Sequence, residues 1–380
     1  MTTAKDLPLA GVVVVDVSRL LPGAVLARML LDLGARLVKV EDPATGDPLR
    51  HAPPVVDGTS AAFTYFLRGA ESLCLDLSRP DGARAVRKLA RSADVLVESF
   101  RVGTMERWGL GPDRLLAVNP SLTWCSLTGF GRSGEWARHV GHDLNLVASS
   151  GLLGLLGTTD GRLPGTQLAD VTAGLLAGAA VLAALLRRGR TGRGTVIDQP
   201  LASGVAPLLA WVWADEAGGG GGFNDRVLAG DVPCYRVYTC QDGKKLAAGT
   251  LEPKFWAGFV EMLGLGHLAG LGLDTGQAGK AAAAEVEAKL ATATRDHWVE
   301  LGLARGLPVS PVDDLATARA PGGFLEATGL GRVTSFGGRD RVLPAPFIRS
   351  LGQVPDRGAP ALGEHTRALS DELGLDVTDV

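Results

Sequence analysis

Short, nearly continuous apolar runs alternate with helical periods along the first half of the chain. Gly11 to Val17 (GVVVVDV) is a β-branched run of the kind expected for a strand buried on both faces of a parallel sheet. Ala24 to Leu33 carries a helical period and is closed by Gly34, after which Arg36 to Val40 (RLVKV) reads as a second strand. This βαβ unit predicts an α/β fold with a doubly wound sheet and ligands beyond the strand C-termini. The alternation continues with Leu73–Leu77 as strand, Asp81–Ser92 as helix and Val95–Glu98 as strand. Helical residues up to Trp108 come next, then a strand over Leu122–Leu127. No GxGxxG is present, so the dinucleotide fingerprint is missing.

The second half is less regular. A small apolar segment leads to Asp170, which opens a run of Gly, Ala and Leu predicted to be a buried helix to about Arg188. RTGRGTVIDQP follows as a hairpin turn or loop with a short strand, and Leu201–Ala217 as an apolar helix carrying Trp211 and Trp213. These tryptophans are expected in core or dimer packing. Gly218–Gly222 reads as a flexible loop. Beyond it, Cys234–Gly249 predicts two strands around an Asp-Gly turn, then helices from Lys254 to about Leu303. From Ala320 onward Pro-rich loops lead to a last helix over Glu364–Leu373.

Composition narrows the function classes. With 380 residues there is room for two domains, and 46% hydrophobic with 21% charged content is that of a water-soluble globular protein. A net charge of −3 argues against nucleic acid or an anionic membrane as partner. Cys74, Cys125, Cys234 and Cys240 have no CxxC spacing and no histidine cluster, so they read as reduced, mostly buried thiols without a metal. The N-terminal stretch lacks a signal-peptide pattern, and the apolar run Leu175–Leu186 is too short to span a bilayer. A cytoplasmic location is expected.

Three ionisable groups are candidates for chemistry. Asp170 stands at the head of an apolar helix, whose free N–H groups and dipole should keep it ionised and face the same ligand. His142 is followed by Asp143, and Glu252 lies between a strand and the Pro253 that opens a helix. Each also has an ordinary reading: a surface pair, a helix cap, a favourable dipole position. His51, His139, His267, His297 and His365 read as surface or loop residues.

Nearly end to end, the chain resembles the family III CoA-transferase superfamily (CaiB/BaiF type) and, within it, the α-methylacyl-CoA racemase branch. The resemblance is carried by LPLAGVVVVDVSRLLPG, DLGARLVKVEDPATGD, VLVESFRVGTMERWGLG, SLTGFGRSG, QLADVTAG, RTGRGTVID, DGKKLAAGTLEPKFW and ALGEHT. GHDLN together with LEP points to the racemase branch. It implies an interlocked homodimer of ring-like chains, each with a Rossmann-like large domain and a smaller α+β domain. The expected boundaries are 1–199 and 321–380 for the large domain, 200–225 for the linker and 226–320 for the small domain. His142 and Asp170 match the acid/base pair, and Glu252 the glutamate that orients the histidine from the other subunit. Asp143, Leu20 and Tyr235 match supporting positions, and Arg101 and Arg107 match arginines that hold CoA.

The implied reaction is racemisation of 2-methyl-branched acyl-CoA thioesters by 1,1-proton transfer through an enolate. Donors for the enolate oxygen would come from the helix N-terminus at Asp170. A CoA-transferase with Asp170 as nucleophile and a non-catalytic thioester-binding homologue are the alternatives. No cofactor is held permanently; coenzyme A arrives as part of the substrate, and no metal is needed. Asp42, Ala70 and Glu71 replace usual basic residues, leaving Arg68 alone in its block, and Thr166 replaces an asparagine. An acyl carrier protein is therefore a second, less favoured carrier.

Overall fold

The computed structural model describes residues 6–56, 58–157, 163–220, 226–336, 339–353, 355 and 357–374. The chain divides into two compact units, Met1–Leu208 with Arg332–Val380, and Leu209–Gly331. The break falls inside the stretch read as a linker. The return to the first unit comes at 332 rather than 321, so residues 321–331 stay with the second.

The first unit is built on β1 (Val13–Asp16), β2 (Arg36–Glu41), β3 (Glu71–Cys74), β4 (Val95–Glu98), β5 (Thr123–Thr128) and β6 (Thr195–Pro200). All six pair in parallel, in the order β3-β2-β1-β4-β5-β6. The order reverses between β1 and β4, so the sheet opens a crevice past their carboxyl ends. β4 and β5 are buried along their whole length, the polar Glu98, Thr123, Ser126 and Thr128 included. The short strand expected within 190–200 is β6, a parallel edge strand, and β3 begins two residues earlier than expected.

Helix α1 (Leu20–Asp32) crosses from β1 to β2, and α2 (Pro80–Ala90) leads towards β4. Three short helices follow: α3 (Thr104–Arg107), α4 (Pro112–Val118) and α5 (Asp143–Ser149). Sequence periodicity missed α4 and α5. Helix α6 (Leu168–Thr191) is 24 residues, longer than the apolar run suggested. By length and composition it could cross a membrane. Its small face, with Ala169, Ala173, Ala177 and Val181 buried, is nonetheless used inside the protein. Gly174 and Gly178 let α1 approach; a Cβ on Gly174 would stand 2.7 Å from Pro22 O and one on Gly178 2.4 Å from Met29 Sδ.

Buried charges tie the first βα turn. Lys39 Nζ reaches Asp16 Oδ2 (3.2 Å), Asp47 Oδ2 (3.0 Å) and the Ser18 carbonyl (2.5 Å). Burial works against that ammonium, but Asp16 and Asp47 hold it protonated well above the usual lysine range. Beside it, Glu41 accepts two hydrogen bonds from Arg50, both 2.7 Å, and one from Ser72 Oγ.

The C-terminal segment closes over β3. Cys74 N donates to Thr366 Oγ1 (3.0 Å), Gly363 N to Ser72 Oγ (2.9 Å), and Arg36 forks onto Glu372 with two contacts of 2.7 Å. Helix Thr366–Leu373 buries Leu369 against this edge. Strands Gly331–Phe336 and Arg339–Pro344 pair in a two-stranded sheet where only loops were expected.

Helix α7 (Ala206–Ala217) spans the boundary between the units. Trp211 and Trp213 are 60% and 50% exposed on it, so neither is a core residue of this chain. Gly218 N and Gly220 N donate back to Ala214 O and Asp215 O, so Gly218–Gly220 close this helix rather than form a free loop. Gly221 and Gly222 lie outside the described residues.

The second unit carries the antiparallel strands β7 (Tyr235–Thr239), β8 (Lys245–Gly249) and β9 (Val309–Pro311), with β8 central. Helices α8 (Pro253–Met262), α9 (Gln277–Leu290) and α10 (Arg295–Ala304) complete it around Trp256, Phe259, Val286 and Trp298. All four cysteines are free, with Cys125, Cys234 and Cys240 buried and Cys74 half-buried.

Candidate functional site

A cavity of about 1030 Å³ opens in the first unit where the sheet order reverses. Its walls come from the chain just past β1 (Arg19–Pro22), past β4 (Ser99–Gly103) and at the end of β5 (Leu127–Gly129), with the 137–142 loop and the head of α6. Of the residues singled out in the sequence, Leu20, Arg101, Arg107, His142 and Asp170 meet here.

Asp170 is in the first turn of α6, whose N-cap is Gln167. The helix thus begins before the carboxylate rather than with it. The residue is only 7% exposed. Its Oδ2 accepts from Gln167 Nε2 at 2.8 Å, and its backbone N–H donates to Asp143 Oδ1 at 3.0 Å. Burial first, and the Asp143 carboxylate second, raise the Asp170 carboxyl from 3.8 to about 6, while Gln167 and His142 pull the other way. A midpoint of about 6 leaves the carboxylate the major form at pH 7, with desolvation bringing its titration close to neutrality. The Asp170 amide is also committed to Asp143, so this part of the helix end offers no donor to a ligand oxygen.

His142 is exposed at the N-cap of α5, where its backbone N–H donates to Asn145 Oδ1 (3.0 Å). Asp143, the next residue, is buried beneath it. The GHDLN pattern therefore turns a histidine out towards the cavity and an aspartate inwards to the head of α6.

Leu20 takes φ = +64°, the one non-glycine residue with positive φ among those described. Its N–H donates to Asp47 Oδ1 (3.1 Å), and Asp47 is itself held by Lys39. The buried charge cluster thus imposes a left-handed turn on a bulky residue at the cavity wall, a conformation worth about 1–3 kcal/mol of strain.

Arg101 and Arg107 line the cavity, with Arg107 Nη2 on Thr104 Oγ1 at 2.9 Å. Beneath them Glu98, which the sequence presents only as the tail of a strand, is buried and accepts from Phe100 N (2.7 Å) and Ser126 Oγ, with Arg132 Nη1 at 3.8 Å. Burial pushes its carboxyl up to about 7 against those donors. His139, read as an ordinary loop residue, also lines the cavity and stacks on Trp136 with ring centroids 4.8 Å apart.

The departures from the family's basic residues have structural roles of their own. Asp42 folds into its own turn, accepting from Ala44 N (2.9 Å) and Thr45 N (3.0 Å). Ala70 is buried, Glu71 pairs with Arg36 (2.9 Å), and Arg68 is buried; none of them lines the cavity.

Glu252 and Tyr235 belong to the second unit. Glu252 is the exposed N-cap of α8, followed by Pro253 at the first helical position, as its sequence predicts. Tyr235 opens β7 and pairs with Gly249. Among the described residues no group of three or more His, Cys, Asp or Glu is placed to hold a metal ion.

A family model described as CoA-transferase family III matches residues 9–366. The human α-methylacyl-CoA racemase is 33% identical over 97% of this chain and 94% of its own length. The mouse succinyl-CoA:glutarate CoA-transferase is 30% identical over 96% of this chain and 86% of its own length. Among solved structures, a CaiB/BaiF family protein from Brucella suis superposes with a TM-score of 0.78 at 28% identity, covering 97% of this chain and 99% of that one. Rv3272 from Mycobacterium tuberculosis superposes with a TM-score of 0.82 at 27% identity, covering 96% and 99%. The chain belongs to CoA-transferase family III, in which racemases and CoA-transferases are both near relatives.

Proposed function

We propose that this chain is a racemase of 2-methyl-branched acyl-CoA thioesters. The observation that carries this reading is Asp170, a buried carboxyl titrating at about 6, opening with His142 onto one cavity. Proton transfer at neutral pH needs groups that can hold and release a proton, and a carboxyl raised towards neutrality beside an imidazole supplies both. One of the two removes the α-proton. The C–H electron pair passes to the thioester oxygen as an enolate, and the other group returns a proton to the opposite face of the carbon. Because the Asp170 amide is taken, remaining amides of the first turn of α6 serve the enolate oxygen. The apolar wall of Leu20, Leu21, Leu49, Leu127 and Leu201 suits a branched acyl chain. Arg101 and Arg107 suit the phosphates of CoA.

In this reading the working unit is a homodimer, and Glu252 of a second copy orients His142. Coenzyme A enters as part of the substrate and no metal takes part. A second reading, CoA transfer through an Asp170 anhydride and aspartyl thioester, is favoured by the transferase relatives.

The deciding experiment follows one enantiomer of a 2-methylacyl-CoA in D₂O with wild type, His142→Ala and Asp170→Asn. Deuterium wash-in with loss of enantiomeric purity, abolished or made one-sided in the variants, is the expected result. No wash-in, with CoA passing to an added carboxylate only while Asp170 is intact, would replace the racemase by the transferase.

A further inference from the structure

Asp170 is fixed by two contacts that use different parts of the residue. Its backbone is anchored through the N–H to Asp143 Oδ1 (3.0 Å). Its carboxylate is anchored through Oδ2, which accepts from Gln167 Nε2 at 2.8 Å. A side-chain NH₂ only donates. It therefore sits on an oxygen with a free lone pair, and the proton of the neutral carboxylic acid goes to the other oxygen. We infer that Gln167 is a positioning residue which reserves Oδ2 of Asp170, leaving Oδ1 as the oxygen that reacts in the cavity.

This rests on Asp170 being a reacting group, and not on which reaction it performs. As an acid/base, Oδ1 takes the proton and gives it back while Oδ2 stays occupied. As a nucleophile, Oδ1 forms the new bond to the thioester carbonyl carbon as coenzyme A leaves. In both cases the Gln167 contact removes the choice between two equivalent oxygens and fixes the attack direction.

The electrostatic surroundings make the inference measurable. Asp143 and His142 face Asp170 from α5, and Arg19, Arg101, Arg107 and Arg138 line the same cavity. Helix α1 and the 201–205 turn pack on α6 through Pro22, Val25 and Gly204, which carry no charge. The Gln167 donor stabilises the ionised carboxylate, so removing it must move the titration upwards.

The test is carboxyl-carbon NMR of the full chain labelled with ¹³C at aspartate, the Asp170 signal being assigned by its loss in Asp170→Asn. Gln167→Leu should raise the Asp170 midpoint by about one pH unit, with far-UV dichroism unchanged. Gln167→Arg, which restores an N–H donor, should return it to the wild-type value or below. Where turnover is followed, the acidic limb of kcat/KM should move with the NMR midpoint while KM changes by less than about twofold. A midpoint in Gln167→Leu that coincides with wild type overturns the inference, whatever the reaction. A wild type without α-proton exchange, but with the midpoint shifted in Gln167→Leu, removes the racemase reading and supports this one.

Discussion

Asp170→Asn should make the protein more stable at neutral pH while abolishing its activity. The wild-type carboxyl titrates near 6 in the fold against 3.8 when free, so the folded state holds its proton more tightly than the unfolded chain. Between those values the native state binds more protons, and stability falls as pH rises through that window. Above pH 7 the full difference is a penalty, about 3 kcal/mol if the carboxylate were wholly shielded. The carboxyl opens onto a solvent-accessible cavity that screens it, which reduces the expected figure to about 1–2 kcal/mol. Asparagine keeps the shape, accepts from Gln167 through its own oxygen and leaves the backbone bond to Asp143 untouched. It carries no charge to desolvate. Urea unfolding of both proteins should therefore give a gain for the variant at pH 8 that vanishes near pH 4. An Asn variant no more stable than wild type at pH 8, or a gain that is flat with pH, would refute the reasoning.

Lys39→Met leaves Asp16 and Asp47 buried without their cation, and should destabilise the first unit by about 3–5 kcal/mol, read by chemical denaturation. Gly204→Ala places a Cβ 2.3 Å from Ala169 O and 2.9 Å from Ala173 N, in the first turns of α6 beside Asp170. Overpacking there should cost about 1–3 kcal/mol, and the displaced carboxyl should lower kcat by roughly a hundredfold. Steady-state kinetics on the folded variant checks it.

The parallel sheet was legible because Val13–Asp16 and Val95–Glu98 are buried on both faces, and that condition leaves a continuous apolar signature. Asp170 stood out for a related reason, a charge interrupting an apolar run. The rest depended on contacts that local pattern does not encode. Helix α6 begins at Leu168, and its N-cap, Gln167, is not among the usual capping residues, so its start and its contact with Asp170 were invisible. Asp170's shifted titration comes partly from Asp143, 27 residues away in sequence. Leu20's left-handed backbone is set by Asp47, also 27 residues away. The strand pair Gly331–Phe336 and Arg339–Pro344 hid because its sequence interleaves arginines with apolar residues beside several prolines. His139 gained its place in the cavity wall by stacking on Trp136 within a loop that has no period at all.

The seal that residues 363–372 place over β3 separates the order of synthesis from the order of folding. Leu209–Gly331 is contiguous and leaves the ribosome whole, whereas the first unit, begun earlier, keeps an open strand edge until the helix Thr366–Leu373 emerges. During that interval the nascent first unit presents β3 as an unpaired template for other chains. A stop codon at position 369 would remove Glu372 and much of the helix Thr366–Leu373, and release a chain whose exposed edge marks it for chaperones and proteases.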